Sequence, residues 1–212
     1  DYKTKMLEVI ILSAIQGISE FIPVSSSAHL ILISKYLSFE NSNLNLDMSL
    51  HLGSFLAIIT YFRKDIFNFM KNKNVFIKIL ISSIPTMIVG YLLVHFSLID
   101  YLRNYKIIGW TTIIFGILLY FSDQKKTTKT IKINYNLKTA LYIGFFQVLS
   151  LIPGVSRSGI TITAARILNF KRFDAAKISF LLSIPTLGAV SIFGLKNLIN
   201  SQDISFSILN LT

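Results

Sequence analysis

The 212-residue chain contains no cysteine, which excludes disulfide frameworks, thiolate metal sites and cysteine nucleophiles. Its histidines are few and scattered, at His29, His51 and His95, which argues against a histidine-rich metal site. Charged residues make up only 15% of the chain, against about 25% in soluble domains, so little charge is available to cover a water-exposed surface. Because 52% of the residues are hydrophobic, intrinsic disorder is excluded as well. These shortages favour an integral membrane protein.

Acidic residues are also scarce: 10 Asp and Glu stand against 21 Lys and Arg, giving a net charge of +11. In a soluble protein this excess would suggest a nucleic-acid partner. Here the basic residues lie in short blocks between apolar runs, as in the loops that flank membrane spans. We therefore expect membrane lipids and no nucleic acid as partners. The blocks are Arg63 to Asp65, Lys71 to Lys78, Arg103 to Lys106, Lys125 to Lys132 and Lys171 to Lys177.

Four apolar runs are candidates for membrane-spanning helices, which need about 20 mostly apolar residues. Three of them are bounded by charges and contain none: Ile79–Ile99, Ile107–Ser122 and Ile178–Leu195. The fourth, Met48–Phe62, is shorter and spans a bilayer only if residues 44–47 are included. The pattern predicts an all-α polytopic fold.

Two further apolar regions are interrupted by helix-breaking residues. Met6–Ile33 is broken at residues 22–27, and Thr139–Ile167 is broken at residues 152–159. Each half has about 15 residues or fewer, too short to cross about 30 Å of hydrocarbon. Irregular backbone at membrane depth is tolerated only inside protein or beside a wet cavity. We predict two re-entrant helix–loop–helix hairpins, with two kinked spans as the alternative.

The two broken regions resemble each other without gaps at an offset of 131 residues. Gln16 aligns with Gln147, and the shared serines align around both breaks. A second echo pairs residues 83–86 with residues 183–186, both Ser-Ile-Pro-Thr, at an offset of 100. Repeated broken helices point to a site at the repeat interface. We expect one membrane domain, residues 1–212, with repeats over about 6–99 and 105–200.

The chemistry lies in what differs between the copies. In the first copy, Gln16 and Glu20 are four residues apart on one helix face, and a hydroxyl run and His29 follow. In the second copy, Arg157 lies in a loop rich in Ser and Gly. Arginine and loop amides can bind phosphate oxygens. A carboxylate can bind a divalent cation or act as a base, and a serine near a histidine can be activated as a nucleophile. If the two loops meet, they form a phosphate-handling site. The remaining polar candidates are Ser25, Ser26, Ser27, Gly154, Ser156, Ser158 and Gly159.

Several of these residues also have structural interpretations. In the structural interpretation, Glu20 and Arg157 form a buried ion pair without a catalytic role. In the functional interpretation they belong to the site, because ionisable residues within membranes are usually functional. One or two of the serines are expected to cap the helices that follow the breaks. The sequence does not decide between a structural and a functional role for His51, because Asp47 lies four residues earlier on the same helix face and can pair with it.

Residues 16–29, with the sequence QGISEFIPVSSSAH, closely resemble the first signature of the bacterial undecaprenyl-diphosphate phosphatases, the bacitracin-resistance family. That signature is a Glu/Gln-x-x-x-Glu helix followed by Pro-Val-Ser-Ser and a nearby His. Residues 153–159, PGVSRSG, resemble the second signature, Pro-Gly-x-Ser-Arg-Ser-Gly. The run Leu50-His51-Leu52-Gly53 is also similar to the family, and the resemblance covers about residues 6 to 200.

The resemblance implies an enzyme with inverted repeats and two re-entrant hairpins that converts undecaprenyl diphosphate to the monophosphate carrier of cell-wall synthesis. The site would open to the outer face of the bacterial cytoplasmic membrane and depend on Mg²⁺ or Ca²⁺. By resemblance, Gln16 and Glu20 belong to the metal site, and Ser26 and His29 are nucleophile and base. By the same resemblance, Arg157 is a catalytic residue of the phosphate-binding loop, and the remaining polar candidates bind the phosphates of the substrate.

Three points stay open at the level of sequence. Water activated by the metal is an alternative nucleophile to Ser26, and a transporter or flippase of the polyprenyl phosphate carrier is the alternative function. Gln16 is a variant that the signature allows, and it leaves one carboxylate for a metal. Family members continue for two further spans, whereas this chain stops at Thr212 and lacks an initial Met, so we expect a fragment or a shortened member. Oligomeric state, including a homodimer, and membrane orientation are also left open.

Overall fold

The computed structural model describes residues 2–39, 44–64, 66–67 and 73–200, and this part of the chain is helical without a strand. Residues 1, 40–43, 65, 68–72 and 201–212 of the expected domain lie outside it, and among them are Asp65 and residues 71 and 72 of the basic blocks. The helices are α1 (Tyr2–Ser19), α2 (Ser26–Tyr36), α3 (Leu44–Tyr61), α4 (Lys73–His95), α5 (Leu98–Leu102), α6 (Tyr105–Asp123), α7 (Ile131–Asn134), α8 (Leu137–Val148), α9 (Arg157–Ile167) and α10 (Arg172–Asn200).

Among the described residues, three helices are long and apolar enough to cross a membrane: α4, α6 and α10 within residues 172–197. They contain the three charge-free runs predicted as spans, with one correction. The predicted run Ile79–Ile99 extends past the end of α4 at His95, because the chain turns at Ser97, whose φ is +54°. A left-handed serine carries no hydropathy signal, so the apolar pattern continued through it. The fourth run lies on α3, whose apolar part, Leu46–Tyr61, is shorter.

Both predicted helix breaks are present, with one correction: residues 26–27 and 157–159, which were predicted to lie in the breaks, form the first turns of α2 and α9, because Ser25 and Ser156 cap these helices. The first break, residues 20–25, separates α1 from α2, and the second break, residues 152–156, separates α8 and its terminal 3-10 turn (Leu149–Leu151) from α9. The helices α2 and α9 have 11 residues each, about 16 Å at 1.5 Å per residue. However, α1 has 18 residues, about 27 Å, and is longer than the predicted half. The helix continues through Lys3 and Lys5, which the hydropathy pattern had excluded.

The two broken segments lie against opposite ends of α6. At its start, Lys35 at the end of α2 places Nζ 4.8 Å from the centroid of the Tyr105 ring. At its end, Arg166 near the end of α9 donates to the carbonyl of Asp123 at 2.6 Å. Because α2 and α9 both begin at a break, the two breaks are brought towards each other along α6.

The core is built by helices that approach closely through small residues. At Gly144 of α8, a Cβ atom would lie 2.1 Å from the carbonyl oxygen of Ser82 on α4, so the two backbones are in contact. Gly194 of α10 approaches Met48 of α3 in the same way. Small residues at helix interfaces permit this packing in membrane proteins. Around it lie buried apolar side chains, including Ile143, Ala164, Ala165, Phe170 and Leu182.

Candidate active site

The two breaks meet and hydrogen-bond to each other. The Gly154 amide donates to Ser25 Oγ at 3.2 Å, and Ser158 Oγ donates to the carbonyl of Ile22 at 3.0 Å. Gly154 has a φ of +95°, and a Cβ there would lie 2.0 Å from Thr111 Oγ1 of α6. Glycine is therefore required here by both its conformation and its close contact with α6.

Equivalent serines cap the helices that leave the two breaks. Ser25 Oγ accepts from the Ala28 amide at 3.3 Å, and Ser156 Oγ accepts from the Gly159 amide at 3.1 Å. Each capping serine also bonds to the serine two residues later, Ser27 at 3.2 Å and Ser158 at 3.1 Å. The expectation that one or two serines act as caps is confirmed, and the equivalence follows the offset of 131 residues.

A carboxylate from the first copy and a guanidinium from the second form a buried ion pair. Arg157 Nη2 donates to Glu20 Oε1 at 2.7 Å, and their side chains are 13% and 5% exposed. Glu20 Oε2 accepts from Ser26 Oγ at 2.8 Å and from Gln16 Nε2 at 2.9 Å. The structure thus joins four of the predicted site residues through one carboxylate.

His29 lies one turn into α2 and is held by the backbone. Its Nδ1 is 2.7 Å from the carbonyl oxygen of Ser25. Within the described part of the chain, the hydroxyl of Ser26 bonds to Glu20 and not to His29. The Ser26–His29 pairing implied by the family resemblance therefore stays a prediction.

The structure adds His51 of α3 to this cluster. Its Nε2 is 3.6 Å from Glu20 Oε2, and its Nδ1 is 2.8 Å from the carbonyl oxygen of Asp47. The Asp47 carboxylate in turn accepts from Arg103 Nη2 at 2.5 Å. Two sequence signals concerned His51, its spacing from Asp47 and the family-like run of residues 50–53, and neither pointed to a contact with Glu20.

The second copy lacks the carboxylate of the first. Gln147, the equivalent of Gln16, is fully buried, and neither atom of its amide has a hydrogen-bond partner within the described residues. The position equivalent to Glu20 is Leu151, which packs close to Gly90 of α4. The repeat therefore supplies one acidic and one basic half to the site.

Oxygen atoms around Glu20 are the candidate ligands for a divalent cation. No group of three or more His, Asp or Glu residues suited to a metal is found within the described ranges. However, Gln16 Oε1 is buried without a hydrogen-bond partner and lies beside the carboxylate that its own Nε2 contacts. Mg²⁺ is commonly held by one or two carboxylates together with substrate phosphates, so this donor set fits a cation shared with a phosphate ligand.

Comparison with known proteins identifies the family. The model of the family described as Bacitracin resistance protein BacA matches residues 9–211. The chain belongs to this family. It is 52% identical over 200 residues to the undecaprenyl-diphosphatase of Pelagibacter ubique (strain HTCC1062), covering 94% of this chain and 78% of the relative.

Two further relatives carry the same name. The undecaprenyl-diphosphatase of Saccharophagus degradans is 41% identical over 221 residues, covering 96% of this chain and 83% of the relative. That of Jannaschia sp. (strain CCS1) is 37% identical over 212 residues, with coverages of 93% and 79%. The family resemblance of the two signatures is confirmed, and with its apolar helices the chain is a multi-pass membrane protein.

Proposed function

We propose that this protein hydrolyses undecaprenyl diphosphate to undecaprenyl phosphate and inorganic phosphate, and so recycles the lipid carrier of cell-wall synthesis. The observation that carries the proposal is the buried Glu20–Arg157 pair at the contact between the two breaks, in a chain of the BacA family. The three relatives named above are undecaprenyl-diphosphatases.

The proposed architecture is a pair of inverted repeats with two re-entrant hairpins in the bacterial cytoplasmic membrane. Its support is that α2 and α9 are short, about 16 Å each, and run from the breaks towards opposite ends of α6. In such an arrangement the breaks lie near the middle of the bilayer, as in other membrane proteins that are built from broken helices.

Phosphate binding is assigned to Arg157 and the residues around it. A guanidinium donates two parallel hydrogen bonds to a phosphate, and backbone amides at a helix start add further donors. The start of α9 provides such an amide at Ser158, with hydroxyls of both serine pairs nearby, whereas the Gly159 amide already donates to the capping Ser156 Oγ. The proposed substrate-binding residues are Ser25, Ser27, Gly154, Ser156, Ser158 and Gly159.

Ser26 is proposed as the nucleophile. Its oxygen would bond to the terminal phosphorus as the bond from that phosphorus to the bridging oxygen breaks, and undecaprenyl phosphate would leave. Glu20 is placed to take the hydroxyl proton, because Oε2 already accepts it in a 2.8 Å hydrogen bond. Water would then hydrolyse the phosphoserine, which regenerates the Ser26 hydroxyl and releases inorganic phosphate. His29, on the next turn of α2, is the second candidate, after Glu20, to accept a proton in these steps.

A divalent cation, Mg²⁺ or Ca²⁺, completes the proposal. Glu20 and the free Oε1 of Gln16 would hold it together with the phosphates of the substrate. When bound, a divalent cation neutralises charge that develops on phosphate oxygens. Arg157 adds a positive charge from the other hairpin, so charge would be neutralised from both copies of the repeat.

The test is phosphate release from a C55 or shorter prenyl diphosphate by purified protein in detergent, with Mg²⁺ or with EDTA. Glu20→Ala and Arg157→Ala variants are measured in the same assay. Gln147→Ala serves as the matched control, because Gln147 is the repeat equivalent of Gln16 in a copy that has no carboxylate at the position of Glu20. We expect metal-dependent release that is lost in the first two variants and retained in the control.

Two outcomes would contradict the proposal. One is the absence of release from folded wild-type protein together with movement of labelled polyprenyl phosphate across vesicles, which is the behaviour of a transporter. The other is near-normal release by the Arg157→Ala variant. A Ser26→Ala variant with a normal rate would refute Ser26 as the nucleophile and leave the hydrolytic function intact.

A further inference from the structure

The basic residues of the described chain are concentrated at one end of the helix bundle. Residues 123–138 and 166–174 contain eight Lys and Arg but two Asp, more than half of the chain's net charge of +11. This is the end at which α6 stops and α10 starts. The opposite end, around the start of α6, carries fewer basic residues, and one of them, Arg103, is paired with Asp47.

Contacts through Arg166 hold the loop between α6 and α7 in place. Arg166 is 3% exposed and donates to the carbonyls of Asp123, Lys125 and Phe170, and to Thr127 Oγ1, at 2.6–3.0 Å. A short parallel bridge joins Lys129 to Phe170. These contacts hold the backbone of the loop, and so they determine where its lysines leave the main chain.

The two acids in this region are already engaged. Asp123 is paired with Arg166 and Arg172, and Asp174 Oδ1 accepts from the backbone amide of Ile131 at 3.0 Å. On the surface, Lys125, Lys126, Lys132 and Lys171 have no ion-pair partner within the described residues. We call this surface the basic platform; its members are Lys125, Lys126, Lys132 and Lys171 with the apolar Ile133 and Phe173.

The apolar members of the basic platform are unusually exposed. Ile133 is 84% exposed and Phe173 is 77% exposed, and each is next to an exposed basic residue in the sequence. Ile133 lies on α7, after the end of α6, and Phe173 lies in the first turn of α10. Both are therefore near the ends of spanning helices, where a bilayer changes from acyl chains to headgroups. Apolar side chains surrounded by lysines are typical of surfaces that insert shallowly into anionic membranes.

We propose that the basic platform binds anionic glycerophospholipids of the surrounding bilayer, with lysine ammonium groups on the headgroup phosphates and Ile133 and Phe173 among the first acyl carbons. The site is distinct from the contact between the two breaks and needs no prenyl diphosphate. Since Lys and Arg accumulate on the cytoplasmic side, it would face the cytoplasm.

The test compares two triple variants that remove equal charge from opposite ends. Lys125→Gln/Lys126→Gln/Lys132→Gln changes the basic platform, and Lys35→Gln/Lys106→Gln/Lys196→Gln is the matched control, because all six lysines are exposed. Each protein in neutral detergent is titrated with dioleoylphosphatidylglycerol or dioleoylphosphatidylcholine. Bound lipid is counted by native mass spectrometry, and lipid-free thermal midpoints verify folding.

We expect the platform variant to bind phosphatidylglycerol at least about tenfold more weakly, because each lysine near an anionic surface accounts for about fivefold in affinity. The control variant should stay within about twofold on the same scale. Equal losses in both variants, or in neither, would overturn the proposal, and so would equal binding of the two lipids by the wild type.

A salt titration of the wild type tests the same proposal without any variant. Raising NaCl from about 0.05 M to about 0.5 M should weaken phosphatidylglycerol binding strongly and leave phosphatidylcholine binding unchanged, because salt screens exposed charges. Phosphatidylglycerol binding that does not respond to salt would overturn the proposal. Phosphate release by the platform variant should match that of the wild type, which separates this inference from the proposed function.

Discussion

Replacing Ser25 by alanine should destabilise the protein more than the same change at its repeat partner, Ser156. Both hydroxyls cap the helix that follows their break, through amides at 3.3 and 3.1 Å. Ser25 Oγ also accepts from the Gly154 amide of the other break at 3.2 Å, in a buried hydrogen bond. The repeat therefore supplies its own matched control for the contact between the two breaks.

The magnitudes follow from these contacts. Loss of a capping hydroxyl costs about 1 kcal/mol, which is the expected effect of Ser156→Ala. Ser25→Ala also leaves the Gly154 amide buried without an acceptor, which adds about 1–3 kcal/mol. For a chain of this length, about 1 kcal/mol lowers the midpoint of thermal unfolding by roughly 2–4 °C.

Thermal unfolding in detergent measures the difference directly. Ser25→Ala should lower the midpoint by roughly 4 °C or more, and Ser156→Ala by less than about 4 °C. Ser25→Thr, which keeps the hydroxyl, should recover most of the loss. Equal midpoints for the two alanine variants, or a larger loss at Ser156, would refute the view that Ser25 couples the two breaks.

Three further predictions concern the site. Glu20→Gln or Arg157→Met alone should lower the free energy of unfolding by about 3–5 kcal/mol, because the partner charge stays buried. The double variant should regain most of this stability and remain inactive. Thermal unfolding and phosphate release check this, and additive losses of stability would contradict it. If His51 positions Glu20, His51→Gln should lower kcat by about tenfold and leave KM nearly unchanged, a split that steady-state kinetics tests; an altered KM with a normal kcat would count against it. Gly154→Ala should unfold at a clearly lower temperature than Gly116→Ala, because a Cβ at Gly154 meets Thr111 and Ile108 whereas Gly116 has open space; similar midpoints would show that the second break tolerates a side chain.

Sequence determines the helix breaks well because their chemistry is local. Pro23 and Pro153 each interrupt a helix, and a serine two or three residues later caps the next one. Pro85 and Pro185 have no serine at these positions and lie inside α4 and α10. The capping expectation and both breaks are confirmed for this reason. Ser97 shows the limit, because its left-handed turn leaves no mark in hydropathy.

The contacts between helices are harder to predict from the sequence. His51 reaches Glu20 across 31 positions in the chain, from a different helix, and no spacing rule connects the two. The pairing of Glu20 with Arg157 was expected only on the condition that the two loops meet. Internal repetition made that condition plausible, but the distance of 2.7 Å depends on how both segments pack along α6.

In the proposed reaction, Glu20 would compete with phosphate for Arg157, because the two side chains already form an ion pair. If Arg157 binds phosphate as proposed, the phosphate competes with Glu20 for the Nη2 donor. The gain in binding free energy is then smaller than for an Arg–phosphate contact formed with a free arginine. A ligand with several negative charges and a long lipid anchor can meet this cost, whereas a small free anion gains less. After hydrolysis, the return of Glu20 to Arg157 would help to expel inorganic phosphate. In the proposed reaction, the ion pair would thereby favour release of the product over its retention.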